Sequence, residues 1–281
     1  MLLAIDVGNT ETVVGLYSLG PDAPVAATDG VGYGAASAAA AAHGLAFHWR
    51  LSTVASRTPD EHAVVLTQLL DLEGIDIADA VTGIAISSSV PEATAQLRRM
   101  ASRWFGDRDC VVLGPGTRSG MPIRYSNPKE VGADRVANGV GAYDLYGGPC
   151  IVVDLGTATT FDAISAEGEY LGGAIAPGVA ISLEALYSHA AALRSVELVE
   201  PRGVIGQSTE ESIQSGVLYG FAAQVDGMCQ RMSETLVDPV VIATGGLAGL
   251  IAPHTASVRH VEPWLTLHGL RIIFERNGGT A

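Results

Sequence analysis

Positive charge, cysteine and long apolar runs are all scarce in this chain of 281 residues. Only 16 side chains are basic against 30 acidic, a formal net charge of −14. That deficit argues against nonspecific binding to nucleic acid or to an anionic membrane, since both require a positive surface. It leaves an anionic small molecule open, because local Arg, Lys and backbone N–H groups can override the global field. Cys110, Cys150 and Cys229 are scattered, with neither C-x-x-C nor zinc-ligand spacing. They read as free thiols in a reducing compartment. No apolar run approaches the ~20 residues of a membrane span. The stretch from Met1 to Asp6 has no basic residue and meets a carboxylate at once, unlike a secretory signal. A soluble, cytoplasmic protein is expected. Also missing are Gly-x-x-x-x-Gly-Lys followed by Ser or Thr, His-Glu-x-x-His and Gly-x-Ser-x-Gly, so P-loop, zincin and α/β-hydrolase readings have no support.

What the chain does have is one small pattern twice. Asp6-Val7-Gly8-Asn9-Thr10-Glu11-Thr12-Val13 follows an apolar strand, and so does Asp154-Leu155-Gly156-Thr157-Ala158-Thr159-Thr160-Phe161. In each, Gly stands two residues after the Asp and Thr six after it, and an apolar segment resumes. Gly allows the backbone to come close to a phosphate, with small donors beside it. The Asp at the strand end can hold a cation that screens the phosphates. One such turn is an ordinary hairpin feature. Two at equivalent places point to a duplicated nucleotide-binding domain, with phosphates bound between the halves.

The coarse organisation agrees with a duplication, since the length favours two domains of ~100–150 residues. Strands are expected over 2–7, 12–18 and 45–53, with a Gly/Ala-rich insertion at about 20–44. That insertion carries Gly30-Val31-Gly32-Tyr33-Gly34-Ala35, a relaxed dinucleotide fingerprint whose strand and acidic-partner context is missing. Thr58-Pro59-Asp60-Glu61 signals a helix start, with Ala63, Val64, Leu66, Leu69 and Leu70 facing inward. Strands at 81–87 and 110–113 flank a helix at 91–104. Gly114-Pro115-Gly116 breaks the chain, dividing it into domains 1–117 and 118–281. The second half reads as a helix over 130–146, a strand at 150–154, a hairpin to about 165 and a strand at 170–176. Helical segments at about 180–193 and 208–235 follow, then a strand at 240–243. The end, 265–274, reads as a short helix and a last strand. The fold class is α/β, with mixed sheets and a parallel portion.

Two further clusters carry chemistry. In Tyr125-Ser126-Asn127-Pro128-Lys129-Glu130-Val131-Gly132-Ala133-Asp134-Arg135, an Asp beside an Arg after a Gly at a helix start reads, on pattern alone, as a helix cap and a surface ion pair. Beside two phosphate turns, the same pair suits a kinase: one carboxylate to orient or deprotonate the accepting hydroxyl, one donor to hold the substrate. In Ala243-Thr244-Gly245-Gly246-Leu247, paired glycines after a strand leave a flat surface for an adenosine, or simply a tight turn.

Taken together, these residues resemble the type III pantothenate kinases, a family of the actin/hexokinase/heat-shock-ATPase superfamily with paired ribonuclease-H-like domains. The resemblance runs nearly end to end. It takes in Asp6–Thr10, His48-Trp49-Arg50-Leu51-Ser52-Thr53, Asn127–Arg135, Asp154–Asp162 and Gly172–Gly178. Further on lie Ile205–Thr209, Ser215-Gly216, Thr244–Gly246 and Leu265-Thr266-Leu267-His268-Gly269-Leu270. It implies transfer of the γ-phosphoryl of ATP to the primary hydroxyl of pantothenate, the first step of coenzyme A biosynthesis. It further implies that Asp6, Val7, Gly8, Asn9, Thr10, Glu11, Thr12 and Val13 cradle the ATP phosphates, with Asp6 reaching Mg²⁺ through water and Thr157 touching ATP. By the same resemblance, Asp134 is the base, and Tyr125, Gly132, Ala133, Asp134, Arg135 and Thr209 bind pantothenate. Arg135 suits the pantothenate carboxylate. Asp154 would ligate a monovalent cation, K⁺ or NH₄⁺, and a homodimer is implied. Glu11 departs from the family, which commonly has an uncharged polar or basic residue there, and the 20–44 insertion is longer than the hairpin requires. The alternatives are a related kinase acting on another small compound, and a non-catalytic regulator that binds ATP or pantothenate. The regulator would be expected to lack Asp134 or the turn residues, all of which are present.

Overall fold

The computed structural model describes residues 1–18, 44–106, 108–190 and 193–278. The 20–44 insertion and its Gly30–Ala35 pattern thus lie outside the described residues, apart from Gly44. In chain order the main elements are β1 (Leu2–Val7), β2 (Glu11–Tyr17), β3 (Leu45–Ser52), α1 (Pro59–Leu72), β4 (Gly83–Ser88), α2 (Pro91–Trp104) and β5 (Asp109–Val112). Then come α3 (Ala133–Tyr146), β6 (Cys150–Leu155), β7 (Ala158–Ile164), β8 (Tyr170–Pro177), α4 (Val179–His189), α5 (Thr209–Ser233), β9 (Val240–Thr244), β10 (His260–Val261) and α6 (Leu265–Arg276). No helix among the described residues is long and apolar enough to cross a membrane.

The strands form two five-stranded sheets, β3-β2-β1-β4-β5 and β8-β7-β6-β9-β10. Both have the same plan: an antiparallel three-strand meander, with two further strands added parallel to the meander's first. The duplication read from the two turns therefore extends to strand order and direction. Grouped by contact, described residues of 1–18, 44–145 and 264–278 make one compact unit, and those of 146–263 the other. Strands β1–β5 precede residue 117 and β6–β10 follow 118. Helices α3 and α6, which the expected division at 117/118 assigns to the second half, group instead with the first sheet.

The reason is visible in the packing of α6. In β1, Leu2, Leu3, Ala4 and Ile5 are each no more than 1% exposed, as expected of a strand covered on both faces. On one face Leu3, Ile5 and Val7 join Leu66 and Leu70 of α1 and Leu97 and Met100 of α2 in a single core. Each such buried side chain contributes about 1.5–3 kcal/mol. The other face carries α6. Leu267 lies over Gly15, where an added Cβ would stand 2.7 Å from its Cδ1, and the Phe274 ring lies over Gly83, where a Cβ would stand 2.1 Å away. Glycine in the strands lets the helix lie against the sheet. In the second sheet, Ile151, Val153, Leu155 and Phe161 pack with Leu218, Ala222 and Val225 of α5.

Helix α1 starts where its sequence signals, with a capping box: Thr58 Oγ1 accepts from the Glu61 N–H at 3.3 Å, and Glu61 Oε2 accepts from the Thr58 N–H at 2.8 Å. Ala63, Leu66 and Leu70 face inward as expected, whereas Val64 is 54% exposed because it stands one residue, about 100°, off that stripe. The expected last strand is also corrected. Residues 265–276 form a single helix, and the sheet ends earlier, in the two-residue β10. The run Ile272-Ile273-Phe274 favours strand locally, but burial of Leu265, Leu270, Ile273 and Phe274 at helical spacing outweighs that preference.

His62 on α1 is 8% exposed, and its Nε2 has no hydrogen-bond partner among the described residues. Burial, with Arg57 adding to it, lowers its pKa from 6.5 to about 4. The unfolded chain therefore takes up the proton first, so stability held above about pH 6.5 is lost as the pH falls toward 4. His62→Leu removes this linkage and is expected to raise Tm more at about pH 5 than at about pH 7.5. An equal change at the two pH values, measured by thermal unfolding, would assign the acid sensitivity elsewhere.

Candidate active site

The first turn joins β1 to β2. Asp6 pairs with Val13 and Val7 with Thr12, so the tip is left to Gly8, Asn9, Thr10 and Glu11. The Gly8 N–H donates to the Glu11 carbonyl at 2.9 Å, and Asn9 and Thr10 are exposed. Thr53, just past β3, holds the turn from beside. Its N–H donates to the Thr10 carbonyl at 2.9 Å, and its hydroxyl donates to the Gly8 carbonyl at 2.8 Å. The Thr12 and Thr53 hydroxyls are 2.9 Å apart. Because the Thr53 proton goes to Gly8, the Thr12 proton must go to Thr53. Thr12 is therefore a brace within the turn, with no proton left for a phosphate.

Glu11, the acid that departs from the family pattern, points to the surface, where its Oε2 lies 2.8 Å from Arg50 Nη1. The Arg50 guanidinium lies 5.2 Å from the Trp264 ring centroid, and His48 stacks on the same ring at 4.0 Å. Burial and the neighbouring Arg50 both lower the His48 pKa. The negative charge beside the turn is thus already paired.

The second turn repeats the first with one residue fewer. Asp154 pairs with Thr160 and Leu155 with Thr159, and the Gly156 N–H donates to the Ala158 carbonyl at 3.1 Å. Its support is different, coming from glycines that let other backbone approach. A Cβ on Gly178 would stand 2.1 Å from the Thr157 carbonyl oxygen, and one on Gly245 (φ +93°) would stand 2.5 Å from Asp154 Oδ1. Leu247 N–H donates to the Leu155 carbonyl at 3.2 Å, which draws the Gly245-Gly246 segment against this turn.

Each Asp has a hydroxyl residue as its parallel neighbour, of which the sequence pattern points to Thr244 and not to Ser87. Asp6 is in register with Ser87 on β4, and Asp154 with Thr244 on β9. Both hydroxyl residues are buried, and Ser87 Oγ has no hydrogen-bond partner among the described residues. A hydroxyl closing an apolar strand in both halves was the available signal. It emerges only when the two strand orders are aligned.

Asp134 sits in the first turn of α3, where its Oδ1 accepts from the Arg135 N–H at 2.8 Å. A Cβ on Gly132 would lie 2.4 Å from that same oxygen, so glycine makes room for the carboxylate to fold back over the helix start. Asp134 Oδ2 accepts no hydrogen bond from the described residues, which leaves it available to a ligand. Arg135 is 9% exposed, whereas Tyr125 is at the surface. Asn127 caps the short helical turn before α3, with its Nδ2 donating to Glu130 Oε1 at 2.8 Å. The Asp6–Val13 turn, Tyr125 and Gly132–Arg135 thus belong to one contact unit. Asp154, Thr157, Thr209, Gly245 and Gly246 belong to the other. Thr209 opens α5 behind its N-cap Ser208, on a groove of about 580 Å³ that Leu183 and Leu186 of α4 also line.

A family model described as type III pantothenate kinase matches residues 2–231. The type III pantothenate kinase of Streptomyces avermitilis is 49% identical over 284 residues, covering 99% of this chain and 98% of its own. That of Moorella thermoacetica is 48% identical over 278 residues, covering 99% and 100%. Among solved structures, the activator of the 2-hydroxyisocaproyl-CoA dehydratase from Clostridium difficile, with bound ADPNP, matches with a TM-score of 0.55 at 12% identity, over 98% of this chain and 94% of its own. That likeness bears on fold alone, and the fold is the expected α/β, actin-like ATPase type built on two mixed sheets.

The bracing of the second turn can be tested with two glycines of the same unit. Gly178→Ala places a methyl against the Thr157 carbonyl and is expected to destabilise by about 1–3 kcal/mol, the usual cost of overpacking. Gly220→Ala on α5, where a Cβ meets nothing within 4 Å, is expected to stabilise by about 0.5–1 kcal/mol. Urea unfolding of both variants checks the pair, and equal effects would contradict the close approach at Gly178.

Proposed function

The chain belongs to the type III pantothenate kinase family and is a pantothenate kinase, and on that premise we propose how its residues divide the work. The Asp6–Val13 turn holds the ATP phosphates, Asp134 orients the primary hydroxyl of pantothenate and accepts its proton, and Arg135 takes the pantothenate carboxylate. The observation that carries this reading is the anchoring of Asp134. One carboxylate oxygen is tied to its own helix start at 2.8 Å, in the same contact unit as the first turn, and in this reading the other is the one that meets the substrate hydroxyl.

Phosphoryl transfer spreads negative charge over the equatorial oxygens, so positioned donors supply most of the catalysis. In the first turn those donors are the backbone N–H groups at the tip and the Thr10 hydroxyl, with Thr12 and Thr53 keeping the tip in shape. A carboxylate is a weak base toward an alcohol. Asp134 therefore contributes chiefly by aiming the hydroxyl, with proton transfer late. Tyr125, Gly132, Ala133 and Thr209 complete the pantothenate contacts in this proposal. Thr157 touches ATP, and the bare Gly245-Gly246 surface takes the adenosine.

Mg²⁺ fits Asp6 by its donor set. The described residues contain no group of three or more His, Cys, Asp or Glu able to share a metal. The ion would therefore take its remaining ligands from water and phosphate oxygens, as is usual at nucleotide sites. When bound it neutralises charge developing on the phosphoryl oxygens. K⁺ or NH₄⁺ fits Asp154, where carboxylate, hydroxyl and carbonyl oxygens are hard donors. A Cβ at Gly245 would fill the space beside Asp154 Oδ1. A cytoplasmic homodimer is part of the same proposal. It is supported by the exposed apolar side chains Leu171 and Ile175 of β8 and Ile181 and Leu186 of α4, which a second copy would cover.

Turnover is measured as ADP release with ATP and Mg²⁺, with and without pantothenate, in K⁺ and then in Na⁺. Release is expected to need pantothenate and to fall sharply in Na⁺; equal rates in both salts would remove the cation from Asp154. Asp134→Asn is expected to lower kcat by about 10²-fold or more with little change in ATP affinity. A parallel loss of ATP binding would count against its assignment as the base.

A further inference from the structure

Helix α6 carries Leu265-Thr266-Leu267-His268-Gly269-Leu270, a segment to which the reaction as proposed gives no part. It crosses α3 at very short range. A Cβ on Gly269 would stand 1.9 Å from the Ala137 carbonyl oxygen, and one on Gly141 would stand 2.8 Å from the Leu265 carbonyl oxygen. Each helix thus presents bare backbone to the other. Polar contacts fix the crossing on both sides. Thr266 Oγ1 donates to Asn138 Oδ1 at 2.7 Å, and His268 Nε2 lies 2.8 Å from Asp144 Oδ2. Asn138, Gly269 and His268 are all buried.

The positions on α3 matter as much as the contacts. Residues 134, 137, 138 and 141 stand at i, i+3, i+4 and i+7, which is one face of a helix. The stripe that meets α6 therefore continues directly to Asp134, one turn before Asn138. On its other side α6 is seated on the first sheet, with Leu267 over Gly15 and Phe274 over Gly83. That sheet ends in the Asp6–Val13 turn. A continuous path of packed groups runs from the first turn through the sheet to α6, and from α6 through α3 to Asp134.

We propose that Thr266 is a positioning residue for Asp134, with the Gly141–Gly269 crossing setting how close α3 lies to α6 and the Thr266–Asn138 hydrogen bond setting its rotation. The proposal rests on Asp134 being the group that handles the pantothenate hydroxyl. Glycine contacts alone fix a distance and tolerate sliding, because they have no directional preference. A hydroxyl-to-amide hydrogen bond is directional, and it is made one turn from the carboxylate. A shift of about 1 Å in a reacting group can cost about 10²-fold in rate, so a small rotation at Asn138 reaches the chemistry without touching substrate.

The test uses the full chain. Thr266→Val keeps the shape and removes the donor, and is expected to lower kcat by about tenfold with little change in KM for ATP, together with a fall of a few degrees in Tm from the lost bond to buried Asn138. Thr266→Ser restores the donor and is expected to return kcat to within about twofold of the parent. On an Asp134→Asn background, Thr266→Val is expected to add nothing further, because its effect passes through the carboxylate. An unchanged kcat in Thr266→Val, an equal defect in Thr266→Ser, or full additivity with Asp134→Asn would each overturn the positioning role and leave the role of Asp134 standing. Wild-type turnover in Asp134→Asn alone would overturn both.

Discussion

A methyl group on Gly269 would stand 1.9 Å from the Ala137 carbonyl, and one on Gly178 would stand 2.1 Å from the Thr157 carbonyl. Backbone meets backbone at these places, and much of the remaining structure depends on that proximity. Helix α6 can occupy the space between the first sheet and α3 because Gly15 and Gly83 lower the sheet surface on one side and Gly141 lowers the helix surface on the other. With larger side chains the helix would stand further out. Asp134 and the first turn would then lose their common support. Glycine is costly to order, and its use at so many contact points is offset by burial of Leu267, Leu270, Ile273 and Phe274 on the same helix.

The two halves share a strand order and diverge in how their turns are held. The first turn is tied by a chain of hydroxyls, Thr12 to Thr53 to the Gly8 carbonyl, which leaves Asn9 and Thr10 exposed at its tip. The second is enclosed by backbone from Gly178 and Gly245, which brings oxygen atoms and the Asp154 carboxylate together. Under the proposed division of work, the exposed tip is the one offered to phosphate and the Asp154 carboxylate is the one offered to a cation. The same hairpin is thus held in two different ways, through neighbours that lie far away in sequence.

That distance also explains what could be read in advance. The strands β1, β4, β6 and β9 were legible because burial on both faces demands uninterrupted apolar runs. The start of α1 was legible because capping is local chemistry written in Thr58, Pro59 and Glu61. Asp6, Asp134 and Asp154 stood out because turns and helix starts concentrate unusual residue types. Ser87 did not, since a lone hydroxyl at a strand end gains meaning only from the strand it lies beside. The final helix was misread for a related reason: Ile272 and Ile273 favour strand by themselves, and only the sheet and α3 packed around them decide for helix. The grouping of α3 and α6 with the first sheet is likewise a matter of long-range packing that no local pattern records.

An acidic protein that handles anionic substrates must solve a local electrostatic problem, and Glu11 shows how the first turn does so. Two unit charges about 4 Å apart interact by about 4 kcal/mol near a protein surface, enough to disfavour a phosphate beside an unpaired acid. Arg50 stands 2.8 Å from Glu11 and is itself steadied by the Trp264 ring, so the pair presents little net charge to the turn. The guanidinium is also held in place before any ligand arrives, and its ordering is complete in advance. The local field at the turn is therefore left mainly to its backbone dipoles and the Asp6 carboxylate, with the −14 of the whole chain largely screened beyond about 10 Å. Trp264 immediately precedes α6. The helix that packs against α3 thus begins next to the residue that steadies the charge pair beside the first turn, so the seating of a single helix touches both the Glu11–Arg50 pair at one end and the α3 crossing at the other.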